Sequence, residues 1–126
     1  MILSRDYKEI NNVYDFYEGI ISDITWDSSF TDFIITVYYF WDEPRGQKNK
    51  DVMIRFKKTS GLNYSCAGML ESMKKHNIDS PHPEIDRITI NKDESGIRVE
   101  ISSNYDFPMI SLLCEEIWIE SADETA

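Results

Sequence analysis

Residues 33–41 read Phe33, Ile34, Ile35, Thr36, Val37, Tyr38, Tyr39, Phe40, Trp41. Side chains of an extended strand point alternately to its two faces. Phe33, Ile35, Val37, Tyr39 and Trp41 therefore share one face, and Ile34, Thr36, Tyr38 and Phe40 share the other. Apart from Thr36 both sets are apolar or aromatic, which predicts a strand covered on both sides and placed in the middle of a sheet. The run is also too short for a membrane helix, which needs about twenty apolar residues.

The neighbouring sequence extends the same pattern. In residues 20–26, Ile20, Ser22, Ile24 and Trp26 form one parity and Ile21, Asp23 and Thr25 the other, so the first set is expected to face a core. Asp27, Ser28, Ser29, Phe30, Thr31 and Asp32 are mostly turn formers and predict a hairpin loop. Downstream, residues 42–50 are a polar loop, and Val52, Ile54 and Phe56 then alternate with Met53, Arg55 and Lys57 as a third strand. Leu62, Cys66, Met69 and Met73, widened by Leu70, are spaced for one face of a short amphipathic helix, with Lys74, Lys75 and His76 near its C-terminal end.

Beyond Pro81 and Pro83, Ile88 and Ile90 pair in pattern with Ile97, Val99 and Ile101 around a loop of Lys92, Asp93, Glu94, Ser95 and Gly96. Two last strands are expected over 107–114 and 116–120, with Leu112, Cys114, Ile117 and Ile119 inward and Trp118 outward. Leu3, Tyr7, Ile10, Tyr14 and Tyr17 fit a short helical stripe within an N-terminal segment, 1–18, and residues 121–126 read as a mobile tail. The expected fold is mainly β (α+β): a single antiparallel sheet of about six or seven strands in meanders and hairpins, with one or two short helices packed on it. A chain of 126 residues with 41% hydrophobic side chains suits one domain with a real core.

Charge narrows the function classes. Thirteen Lys and Arg against 23 Asp and Glu give a net charge of -10, which opposes binding to a phosphate backbone. Residues 1–43 carry nine acids and two bases, 44–75 two acids and eight bases, and 76–126 twelve acids and three bases. A basic middle segment between acidic ones either balances them across neighbouring strands or leaves patches of opposite sign. The N-terminus has no basic stretch followed by an apolar one, so a cytoplasmic protein is expected, with neither nucleic acid nor membrane as partner. In a reducing compartment Cys66 and Cys114 are expected as buried free thiols.

No cofactor or metal motif is present in the sequence. His76, Asp79, His82 and Glu84 lie close together, but their spacing reads as a solvated loop. Glu115 and Glu116 point to opposite faces of a regular strand, which does not make an acid and base pair. An enzyme or ligand-binding alternative would use a pocket at the end of the sheet with His76 or His82. A further alternative is an accessory subunit that dimerises through an edge strand, so the oligomeric expectation is monomer or homodimer.

The order of Tyr14, Asp15 and Phe16, then Gly19, Ile20, Ile21 and Ile24, then the 33–41 and 52–56 strands resembles small bacterial β-rich families, some of them immunity proteins of polymorphic toxin systems. The resemblance covers roughly residues 14–58 and is one of strand order. It implies an immunity-type inhibitor of a toxin; the net charge of -10 and the absence of a catalytic signature lead to the expectation of a non-enzymatic binder of a basic toxin. The residues of this chain suited to that task are the acids Asp23, Asp27, Asp42, Glu43, Glu115, Glu116 and Glu120, with Trp41 or Trp118 as an aromatic anchor.

Overall fold

Strand-forming residues dominate the computed structural model, which describes residues 2–17, 19–39, 50–64, 84–103 and 108–121. Among the described residues nine strands follow one another: β1 (Ile2–Ser4), β2 (Ile20–Trp26), β3 (Phe33–Tyr39), β4 (Lys50–Lys57), β5 (Ser60–Tyr64), β6 (Ile85–Asp93), β7 (Gly96–Ser103), β8 (Pro108–Cys114) and β9 (Glu116–Ser121). They form two antiparallel sheets, one ordered β1-β9-β4-β3-β2 and the other β5-β8-β7-β6. The single sheet expected from the sequence is thus corrected to two. The physical reason is burial: a sheet with one apolar face needs a second layer, and here a second sheet supplies it.

Inward positions of the two sheets make one core. Phe33, Ile35 and Val37 of β3 and Val52, Ile54 and Phe56 of β4 meet Ile97, Val99 and Ile101 of β7 and Ile110, Leu112 and Cys114 of β8. Ile117 and Ile119 of β9 join them, while Trp118 points outward, as their alternation predicts. The 33–41 run lies inside its sheet, between β2 and β4, yet the central strand of the five is β4. Phe40 and Trp41 lie outside the described residues.

The core parity expected for residues 20–26 is corrected by a bulge. The register steps from Ile21↔Val37 to Asp23↔Thr36, leaving Ser22 as the extra residue. Ile21 is therefore buried, Ile24 and Trp26 pack against the core, and Ser22 is exposed. A bulge breaks the period of two without changing composition, which is why alternation alone misses it.

Of the two expected helices, the N-terminal one is corrected, and the second falls almost entirely outside the described residues. The N-terminal stripe is a short strand, β1, followed by a single 3-10 turn at Tyr7–Glu9 and an isolated bridge between Ile10 and Tyr14. Ile10 and Tyr14 of the stripe enter the core and Leu3 and Tyr7 pack against it, while Tyr17 is exposed and Phe16, outside the stripe, is buried in its stead. Asn11, at a φ of 74°, donates from its side-chain amide to the carbonyl of Ile88 at 2.7 Å and ties this segment to β6. Leu62, taken as the start of the second helix, sits in β5; residues 65–83 lie outside the described residues, as do 122–126 of the expected tail.

The chain changes sheet twice, side by side. Lys58 and Thr59 carry it from β4 to β5, and Glu115 carries it from β8 to β9. Because β4 pairs with β9 and β5 with β8, these four strands form one bent two-stranded ribbon that runs through both sheets. At its bend the Glu115 N–H donates to the Lys57 carbonyl at 2.9 Å.

Candidate interaction site

The bend of the ribbon is where the chain concentrates its polar side chains. Asp32, at the end of the β2–β3 loop, is only 3% exposed, and a carboxylate that deep needs partners. It has them: Oδ1 accepts the Lys58 N–H at 3.1 Å, and Oδ2 accepts Lys57 Nζ at 3.0 Å and Arg55 Nη1 at 3.3 Å. Burial by itself pushes the Asp32 carboxyl up. The Lys58 N–H, the Lys57 ammonium and the Arg55 guanidinium outweigh it and hold the group below the ordinary carboxylate value.

The β2–β3 loop is closed from within by Asp27. Its carboxylate accepts the N–H groups of Thr31 and Asp32 at 2.9 and 3.0 Å, and the Thr31 hydroxyl at 3.2 Å. The Asp27 N–H donates to the Asp32 carbonyl and the Phe30 N–H to the Asp27 carbonyl, both at 3.0 Å. The loop is joined to the bend where the Thr59 N–H donates to the Thr31 carbonyl at 2.8 Å. At its apex Phe30 takes a φ of 59° and is 77% exposed.

On the outward face of the five-stranded sheet, basic side chains of β4 alternate with acids and an aromatic of β9. Arg55 Nε lies 3.2 Å from Glu120 Oε1 while its Nη1 reaches Asp32. Burial by itself lowers Arg55, but Glu120 and Asp32 more than offset this and raise it above its usual value, so it stays charged. Trp118 carries two cations, the Arg5 guanidinium at 4.5 Å and Lys57 Nζ at 4.4 Å from ring centroids. Its indole N–H donates to Glu116 at 3.3 Å. Across the bend Lys58 Nζ lies 3.3 Å from Glu115.

The structure thus brings Asp27, Glu115 and Glu116 to one end of the sandwich and sets Trp118 and Glu120 beside them on the outward face. Asp23 lies apart, exposed on the edge strand β2. Trp41, Asp42 and Glu43 lie outside the described residues, as do His76, Asp79, His82 and Cys66. Trp118 is a half-buried platform for two cations rather than a bare anchor. The basic segment of the sequence does balance acids across neighbouring strands, through Arg55, Lys57 and Lys58.

Sequence reasoning missed Phe30, Asp32 and the three basic partners. A signal for Phe30 was available: it is the one apolar residue in a run of turn formers, Asp27 to Asp32, where nothing local requires it. Asp32 carried none, because its partners are 23 to 26 residues away in sequence.

A cleft of about 370 Å³ lies elsewhere, between the N-terminal segment and β6, lined by Asn11, Asp15, Tyr17, Asp86 and Arg87 among others. Among the described residues no three His, Cys, Asp or Glu side chains stand close enough to hold a metal ion. No helix of these residues is long and apolar enough to cross a membrane. Comparison with protein-family models, with curated proteins and with solved structures gives no match for this chain.

Proposed function

We propose that this chain is a non-enzymatic, acidic protein-binding domain and, within that class, an immunity-type inhibitor that covers the basic surface of a toxin. The observation that carries the reading is the pairing of four of the described basic side chains within the chain itself. Arg55, Lys57, Lys58 and Arg98 are each held in an ion pair with an acid of the same chain. The chain as a whole carries 23 acids against 13 bases, and among the described residues acids such as Asp23, Asp86 and Glu100 stand exposed. A surface of one sign raises the local concentration of an oppositely charged partner and speeds its encounter. The resemblance in strand order to toxin-immunity families points the same way. Pairing through edge strand β2 is opposed by its bulge and by Asp23 on that edge. His76 and His82, on which the alternative of a sheet-end pocket rests, lie outside the described residues.

Capture on the immobilised full chain from the source cells, at low and at high salt, tests the reading. The expected result is one basic protein retained at low salt and released at high salt, whose toxicity to host cells is relieved by co-expression of this chain. Retention of nothing, or of a protein whose toxicity is unchanged by co-expression, would overturn it.

A further inference from the structure

We infer that the outward face of the four-stranded sheet is the docking surface of this domain, and that its groove takes a lysine side chain of the basic partner, with the ammonium held by Glu100, Thr89 and Ser111. The inference rests on the reading of the chain as an acidic protein binder and names the surface and the contact it uses.

β7 turns Ile97, Val99 and Ile101 to the core, so Arg98 and Glu100 face out. The register sets Thr89 of β6 and Ser111 of β8 directly opposite Glu100, one on either side. Residues opposed in this way stand about 5 Å apart at Cβ, close enough for the three side chains to share one guest. Asn91, Arg98 and Leu113 form the next row across the same strands. Together these residues line a groove of about 370 Å³.

The charge of this groove is not neutralised from within. Arg98, the one cation of its lining, is taken by Asp93 at 2.9 Å. Glu100 is exposed and has no hydrogen-bond or ion-pair partner among the described residues. In this it differs from Asp27, Asp32, Asp93, Glu115, Glu116 and Glu120, each of which already accepts a donor of its own chain. Asp23, Asp51 and Glu94 also lack such a partner among the described residues, but they line neither of the two clefts described, and Asp86 shares its cleft with Arg87.

The open groups select their guest. A carboxylate flanked by two hydroxyl oxygens offers acceptors for all three donors of an ammonium, together with the opposite charge. A lysine also brings a stem of methylenes, and half-buried Leu113 in the next row gives that stem an apolar wall. The same unmatched carboxylate opposes a phosphate backbone and an anionic lipid surface.

The test treats the full chain, with the protein it captures from source cells, with a water-soluble carbodiimide, which condenses a carboxylate with an amine in contact with it and removes one water. Mapping of the coupled peptides by mass is expected to show an amide between Glu100 and a lysine of the captured protein. Glu100→Gln is expected to weaken capture on the order of tenfold, whereas Glu94→Gln, which removes the same charge from the β6–β7 turn, changes it by less than about twofold. Thr89→Val, which removes one acceptor and keeps a strand-forming side chain, is expected to weaken capture as well, and an unchanged Tm in each variant separates the contact from the fold. Coupling of the partner only through other carboxylates, coupling of Glu100 to a second copy, full capture by Glu100→Gln, or an equal loss in Glu94→Gln would overturn the docking surface. If a basic protein is still retained in a salt-sensitive way, the binding reading survives that failure. If nothing is captured, both are lost.

Discussion

The Asp32 carboxylate accepts the backbone N–H of Lys58 at 3.1 Å, and through it the loop between β2 and β3 is fastened to the point where the chain leaves one sheet for the other. The same carboxylate holds Lys57 and Arg55, so a single buried acid organises both the bend and the outward face.

Removing that acid separates its two roles. Asp32→Asn keeps an oxygen for the Lys58 N–H but gives up the charge, and is expected to cost about 1–2 kcal/mol. Asp32→Ala leaves the N–H and two cations without their acceptor and is expected to cost about 3 kcal/mol. Urea titration of the two variants checks the order; equal losses would mean that the bend does not depend on the N–H.

Acid should act through the same residue. Asp32 is held below its ordinary 3.8 in the fold, so it adds stability that is fully present above that value. As the pH falls below 3.8, the unfolded chain takes up a proton that the folded one refuses, and the contribution is lost through the folded pKa. The stability difference between the native chain and Asp32→Asn is therefore expected to shrink as the pH falls through this window. Thermal unfolding at stepped pH measures it, and a constant difference would count against the assigned shift.

Phe30→Asn should stabilise the protein. The side chain gives up little burial and the backbone relaxes, for a gain of about 0.5–1 kcal/mol, which raises Tm by a few degrees in a chain of this size. A lower Tm would show that the ring contributes to the fold itself.

Two glycines with positive φ should respond differently to alanine. At Gly96, with a φ of 132°, an added Cβ would lie 2.8 Å from the Cys114 carbonyl oxygen, whereas at Gly61, with a φ of 58°, it meets nothing within 4 Å. Gly96→Ala is expected to cost about 2–4 kcal/mol and Gly61→Ala about 1 kcal/mol. Chemical denaturation of both variants decides whether the β6–β7 turn or the register shift within β5 is the tighter constraint.

Cys114 offers a probe of opening. It is buried and its thiol is pushed up to about 12 by burial, so at neutral pH it is protonated and shielded. In a Cys66→Ser background a thiol reagent should modify it only as fast as the protein unfolds. Rapid modification of the native protein would show that the inner face of β8 opens locally.

Period-two alternation was enough to predict β3, the core face of β4, the β6–β7 hairpin and the inward set of β9, because a strand's two faces are a property of local geometry. Charge counting left open whether the basic segment balances acids or forms a patch of its own, and it did not single out Arg55, Lys57 and Lys58, which the structure pairs with Glu120, Asp32 and Glu115. The bulge at Ser22, the passage of one ribbon through both sheets, and the burial of Asp32 were not legible. Each depends on residues distant in sequence meeting in space: whether a sheet continues or folds over is decided by what covers its apolar face, and an acid is buried only where distant donors converge. Local pattern determined which residues of β3, β4, β7 and β9 face inward; only tertiary packing decided the inward set of β2, that two sheets meet at a bend, and that Phe30 stands exposed beside it.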